Sequence, residues 1–299
     1  MDNVSPKNIA LWAMHRSGST HFGYRLKQSL RQHYADAKYL GEVTGWGGLI
    51  PYQENQTTLL EEIMEQLTQG GDYVCRRASW KIEDGIIVVS ITHGSLAEEI
   101  HNRLDIIKNN AWSNVIVFKM HPWPHMEDTF SEYANAVIQN DNFSHVLLWR
   151  KSLYDYACSR FVLRQKKTPH GSILLDDTSL EFRSEWAQGH FLDRLSKNLD
   201  EFIRMAELLK SIKDNVIMIE TISLNDIHTL SIGQKSLVLT PPEKVKMGST
   251  VYLDKDGQRH LPRNIITVET QEILRRWADI HTEKYDWENL DKNLGFKTA

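Results

Sequence analysis

Five consecutive residues near the N-terminus, Arg16-Ser17-Gly18-Ser19-Thr20, put a cation, a glycine and three hydroxyls into one short stretch. The apolar run Ile9–Met14 precedes them, and an amphipathic pattern marked by Phe22, Leu26 and Leu30 follows. A buried strand, a tight polar loop and a helix, in that order, are the setting in which backbone N–H groups and a helix N-terminus cradle a phosphate. The loop departs from the nucleotide-triphosphatase pattern G-x-x-x-x-G-K-[ST] in an informative way. Its first glycine is missing. With Gly18 as the second glycine, Ser19 stands where the lysine would be and Thr20 supplies the hydroxyl. The cation sits upstream, at Arg16. A loop that keeps the cradle but lacks the lysine for β- and γ-phosphates suits a nucleotide without a γ-phosphate.

Three further segments carry chemistry. His145-Val-Leu-Leu-Trp-Arg150 is a buried-strand pattern that ends in a cation, and an arginine at a strand end can meet a phosphate bidentately. Helix-compatible sequence follows, and Ser159 on it can fold back to add a hydroxyl donor. Val117-Phe-Lys119-Met-His121 is a second strand pattern ending in a lysine, where an ammonium can neutralise charge that develops on a leaving oxygen. Ala37-Lys-Tyr-Leu-Gly-Glu42-Val follows the first helix pattern. Glu42 and His121 are both able to take a proton from a hydroxyl, the imidazole being the better base by its ordinary pKa.

Together these segments resemble the sulfotransferase family. Its members bind 3′-phosphoadenosine 5′-phosphosulfate (PAPS) through a P-R/K-S-G-[ST]-T loop, and His15 here replaces the usual proline. The run from Arg150 through Ser159 to Gln165-Lys-Lys-Thr-Pro-His170 resembles the bacterial branch that includes trehalose and Nod-factor sulfotransferases. In it, Lys151 stands for a second arginine and Pro169 stands where tryptophan is usual. The Glu42 segment resembles the G-E-I/P-F segment of that branch, whose glutamate is the proposed general base. Lys119-Met-His121 also matches the K-x-H-x-P of cytosolic sulfotransferases, where the histidine is the base. Two candidate bases therefore compete, and the other motifs favour Glu42. Val216-Ile-Met-Ile-Glu220 resembles a late V-x-Y-E strand of the family, while Lys244-Val-Lys246-Met-Gly-Ser-Thr250 matches its nucleotide-closing segment poorly and reads as a solvated loop.

The resemblance implies transfer of a sulfuryl group from PAPS to a hydroxyl of a small-molecule or carbohydrate acceptor, without a metal, leaving adenosine 3′,5′-bisphosphate. Arg16, Ser17, Gly18, Ser19 and Thr20 would hold the 5′-phosphosulfate, and Arg150 with Ser159 the 3′-phosphate. Arg16 and Lys119 would stabilise the departing phosphate, and Glu42 or His121 would be the base. The resemblance covers roughly a quarter of the chain. Two other classes stay open: a P-loop small-molecule kinase, and a catalytically silent module that binds PAPS or its product.

The elements that must position these residues alternate. Strand-like runs at Ile9–Met14, Ile86–Ile91, Val115–Met120, His145–Trp149 and Val216–Ile219 are separated by helical patterns at 57–69, 95–109, 127–139, 179–212 and 267–281. Such alternation predicts a three-layer α/β fold with a mostly parallel sheet, and the resemblance makes it P-loop-like. The site then lies at the carboxyl ends of the strands. Two segments break the pattern. Residues 80–90, with an Asp84-Gly85 turn, and residues 250–261 read as hairpins within a single domain spanning 1–299. The Asp254-Lys-Asp-Gly turn lacks the further ligands of a calcium loop.

Composition narrows the function classes. The 299 residues are 41% hydrophobic and 25% charged, with net charge −4, so no global basic field calls for nucleic acid or an anionic membrane. Cys75 and Cys158 are the only cysteines, which fits a reducing compartment without a disulfide framework. No signal peptide and no membrane-length apolar run is evident, and the expected location is cytoplasmic. A homodimer is left open. His121 and His125 do not read as a metal pair, since two prolines lie between them. Trp46, Trp80, Trp112 and Trp123 are of a type that stacks on sugars, although most tryptophans serve packing.

Overall fold

The computed structural model describes residues 8–43, 77–92, 96–121, 127–166, 172–174, 179–221, 225–232, 235–241, 251–253 and 258–298. The helix expected over 57–69, Trp46, Trp123, Cys75, Pro169 and the 244–250 stretch lie outside these residues. In chain order the elements that place the site begin with β1 (Asn8–Ala13), α1 (Ser19–Arg31) and β2 (Lys38–Glu42). The β3 (Arg77–Glu83) and β4 (Ile86–Thr92) pair comes next, then α2 (Leu96–Asn109), β5 (Ile116–Met120), α3 (Glu127–Ile138), β6 (Phe143–Trp149) and α4 (Leu153–Lys166). There follow β7 (Ser172–Leu174), α5 (Glu185–Leu209), β8 (Val216–Glu220), β9 (Thr229–Ile232), β10 (Lys235–Val238), β11 (Val251–Leu253) and β12 (Arg259–His260). The chain closes with α6 (Val268–Lys284), α7 (Leu290–Leu294) and β13 (Lys297–Thr298).

A six-stranded sheet in the order β13-β8-β6-β1-β5-β2 forms the centre, and its neighbouring strands all pair in parallel. The continuous apolar runs of β1, β5 and β6 are what a sheet covered on both faces requires. All six residues of β1 are buried, and they alternate between two cores. Ile9, Leu11 and Ala13 join the core beneath α1 and the β9–β10 ribbon. Ala10, Trp12 and the following Met14 join the larger core, to which α2 through α6 contribute. The sheet is thus flanked by helices on both faces, as the alternation predicts. A buried polar pair seals the larger face, where the Trp12 indole N–H donates to His145 Nδ1 at 2.9 Å.

Helix α1 is fixed closely and from two sides. At Gly23 it lies so near β2 that a Cβ would stand 2.5 Å from the Tyr39 ring. On its other side the fully buried Arg25 donates from Nε to the Thr240 carbonyl and from Nη2 to the Ile227 carbonyl, each at 2.9 Å. Ser29 Oγ accepts from the Thr240 N–H at 2.7 Å. These contacts hold the helix N-terminus in place beneath the loop that precedes it.

The Asp84-Gly85 turn joins β3 to β4, with φ of 51° and 74°, the two left-handed residues of a type I′ hairpin. The second expected hairpin is present as the antiparallel pairing of β11 with β12. Trp80, counted above among sugar-stacking candidates, is fully buried beside Phe118 instead.

Candidate functional site

Strand β1 lies between β5 and β6, and the chain first builds the β5–β2 side before crossing to β6 and β8. The crevice at the carboxyl end of β1 is therefore a topological switch point, where open α/β sheets bind ligands. Residues 14–18 fill it. The Met14 N–H donates to the Leu148 carbonyl at 3.0 Å, which ties the loop's entry to β6. Arg16 (φ 63°) and Gly18 (φ 71°) both have left-handed backbone. For Arg16 this is an uncommon conformation that costs of order 1 kcal/mol, and such residues cluster at ligand clamps. Loops of this kind turn successive N–H groups to one side, the concavity that receives anions. Gly18 caps α1 without a side chain, and no acidic residue stands in the helix's first turn. Ser17 is fully buried and its hydroxyl has no hydrogen-bond partner among the described residues. Thr221 braces the loop from β8, its Oγ1 lying 2.7 Å from the Trp149 carbonyl and 3.3 Å from that of Ser17.

Glu42 and Lys119 meet beside this loop because of a β-bulge. Tyr39 pairs with Val117, and Glu42 pairs with Lys119, so β2 carries one extra residue over this span. Gly41, at φ 76°, supplies the backbone that the bulge needs. Parity shows the effect. Without the bulge Glu42 would share the face of Leu40, which belongs to the larger core. The bulge turns it to the face of Val117 and Lys119, under α1. The Lys119 ammonium lies 3.6 Å from Glu42 Oε2 and donates to Thr20 Oγ1 at 3.1 Å. The two side chains are only 9% and 12% exposed, so this ion pair is largely shielded from water. Arg103, fully buried on α2, holds the end of β2 by donating from Nη1 to the carbonyls of Glu42 (3.2 Å) and Val43 (2.8 Å).

His121 follows β5 and lies beneath the loop, 4% exposed. Its Nδ1 donates to the Ala13 carbonyl at 2.6 Å, which leaves Nε2 to accept from the Ser19 hydroxyl at 3.4 Å. The His15 ring stacks on it at 4.5 Å between centroids. Burial, aided by Lys119 and Arg160 and opposed by Glu42 and the Ala13 carbonyl, pushes its pKa down to about 4. A buried neutral ring with both nitrogens engaged by the protein is a prop for the loop. Of the two candidate bases, Glu42 is the one that forms an ion pair with Lys119.

The third cluster pairs residues that the sequence reading assigned to different phosphates. Arg16 Nε donates to Ser159 Oγ at 3.2 Å, bringing α4 against the loop. Arg150, half-buried, ends β6 on the same edge of the sheet, and the Trp287 indole N–H donates to the carbonyls of Arg150 and Lys151 at 3.2 and 3.0 Å. The structure thus gathers Arg16, Ser17, Gly18, Ser19, Thr20, Glu42, Lys119, His121 and Ser159 around one loop, with Arg150 at the neighbouring strand end. Sequence reasoning missed Arg103, Arg160 and Thr221. Arg103 had a signal, since it is the one arginine on the apolar face formed by Ile100, Leu104 and Ile107. Thr221, at the end of β8, had none.

Compared with protein-family models and with curated proteins, the chain matches neither. Among the described residues no group of three His, Cys, Asp or Glu side chains could hold a metal ion, and no helix is long and apolar enough to cross a membrane.

Proposed function

We propose that this protein is a P-loop-like sulfotransferase, which moves a sulfuryl group from PAPS to a hydroxyl of a small-molecule or carbohydrate acceptor. One observation carries the reading: the loop after β1 adjoins the shielded Lys119–Glu42 pair, so that an anion cradle, a cation and a carboxylate share one crevice. The donor fits the residues present. The unpartnered Ser17 hydroxyl, the uncapped first turn of α1, Arg16 and Thr20 are hydrogen-bond donors of the type that hold a phosphosulfate. Arg150, which follows β6, would take the 3′-phosphate. A kinase needs an ammonium where Ser19 stands, and Ser19 gives its hydroxyl to His121 instead.

PAPS supplies the sulfuryl group and a phosphate that can leave. The Glu42 carboxylate takes the acceptor's proton as its oxygen forms the new bond to sulfur. The bond between sulfur and the bridging oxygen breaks, and Lys119 and Arg16 face the charge that this oxygen gains. Thr20 and Glu42 orient the Lys119 ammonium for this role.

Calorimetric titration tests the reading. Adenosine 3′,5′-bisphosphate should bind and raise the melting temperature, and at about one hundred times its Kd it adds roughly 2.7 kcal/mol of stability. ATP with Mg²⁺ should do much less. Equal shifts with the two nucleotides would overturn the assignment.

A further inference from the structure

A cleft of about 250 Å³ lies between α4 and α5, and three arginines surround it. Arg160, Leu163 and Arg164 line it from α4, at the spacing of a single helix face. Phe191, Arg194, Leu195 and Asn198 line it from α5, again along one face. The floor is apolar and buried, save for one amide. Asn198 is 4% exposed and lines the cleft. The Arg164 guanidinium lies 5.9 Å from the centre of the Phe191 ring, which holds it at the cleft.

No carboxylate lines this cleft. The acidic residues nearest on α5 are engaged elsewhere: Glu201 pairs with Arg204 and Asp193 with Lys197, each at 3.2 Å. Arg160, Arg164 and Arg194 have no carboxylate partner among the described residues. Burial, followed by the charges of Arg194 and Arg160, holds the Arg164 guanidinium below the usual arginine range. Like charges gathered around one cleft repel each other until an anion joins them. Guanidinium forks meet phosphate, sulfate and carboxylate bidentately, and an amide N–H₂ adds a neutral donor.

The position of the cleft gives the anion a role. Arg160 directly follows Ser159, whose hydroxyl Arg16 holds, and its charge reaches His121. The cleft therefore adjoins the loop. We propose that the Arg160–Arg164–Arg194 cleft binds an oxyanion group of the acceptor, so that the acceptor is an acidic molecule bearing a phosphate, sulfate or carboxylate. The word acceptor rests on the sulfotransferase reading above, whereas the anion site rests on the cleft alone.

Inorganic pyrophosphate titrated into the full-length protein tests this, with and without saturating adenosine 3′,5′-bisphosphate to block the loop. The wild type should bind pyrophosphate in both conditions. The double substitution Arg164→Gln, Arg194→Gln should weaken pyrophosphate binding to the bisphosphate-saturated protein about tenfold or more, and leave bisphosphate affinity unchanged. Relief of repulsion should also keep its unliganded melting temperature at or above that of the wild type. Arg194→Lys, which keeps the charge and loses the fork, should show a smaller loss. Pyrophosphate that fails to bind the wild type, or binds wild type and double variant alike, would overturn the cleft. If the bisphosphate does not bind, the sulfotransferase reading falls, and the pyrophosphate comparison without nucleotide still decides the anion site. If the double variant does not fold, the comparison of wild type with Arg194→Lys decides it.

Discussion

Acid should unfold this protein partly through one imidazole. His121 is buried, gives its Nδ1 proton to Ala13, and accepts from Ser19 at Nε2. A second proton would reverse the Ser19 hydroxyl and place a charge near Lys119 and Arg160. The folded pKa is accordingly about 4, against 6.5 for a free histidine. The sign follows from linkage. Between these two values the unfolded chain binds a proton that the folded chain refuses, so stability falls as the pH drops. The contribution is whole above pH 6.5, declines through the window, and is gone below about 4. The gap of about 2.5 units at about 1.4 kcal/mol each comes to roughly 3 kcal/mol. Urea denaturation at several pH values across the window measures it, with His121→Asn as the reference. That substitution can keep a donor for the Ala13 carbonyl but removes the titrating ring. The wild type should lose about 3 kcal/mol more than the variant on acidification, since other groups titrate alike in both. Parallel pH profiles would refute the reasoning and return His121 to the list of bases.

Two further outcomes follow from the geometry. Gly23→Ala gains about 1 kcal/mol of helix propensity but drives a methyl into Tyr39, which is packed against the sheet, so it should lower the melting temperature, by about 1 kcal/mol in net stability; an unchanged or higher midpoint would refute the close approach of α1 to β2. Arg150→Ala should weaken adenosine 3′,5′-bisphosphate by roughly 2–5 kcal/mol and adenosine 5′-phosphosulfate far less, as measured by calorimetry; equal losses would make Arg150 a structural residue.

The layers of the fold were legible, and the details of the site less so, for physical reasons. Continuous apolar runs marked β1, β5, β6 and β8 to within a residue or two, because a parallel sheet buried on both faces needs them. Strand β2 is short and polar at both ends, so its sequence shows no strand signal, and its pairing comes from Arg103 and β5. The bulge at Gly41 was equally invisible, yet it decides which face Glu42 occupies. The loop itself was readable from its setting, since Arg16 to Thr20 lies between an apolar run and an amphipathic pattern. Burial was not. His121 and Ser159 read as chemical groups in the sequence, but the fold engages both ring nitrogens of His121, with Ala13 and Ser19, and has the Ser159 hydroxyl accept from Arg16. The Arg160–Arg194 cleft escaped notice because its arginines come from two helices that the sequence does not show to be neighbours.

We propose that the crevice transfers a sulfuryl group with Glu42 as base. PAPS labelled with radioactive sulfur, incubated with the protein and a small-molecule extract, tests it most directly, with release of free sulfate recorded alongside. The wild type should give labelled product, and Glu42→Gln should lose about 10²–10⁴-fold in rate with bisphosphate affinity intact. Neither labelled product nor sulfate release from the wild type, or transfer undiminished in Glu42→Gln, would contradict it.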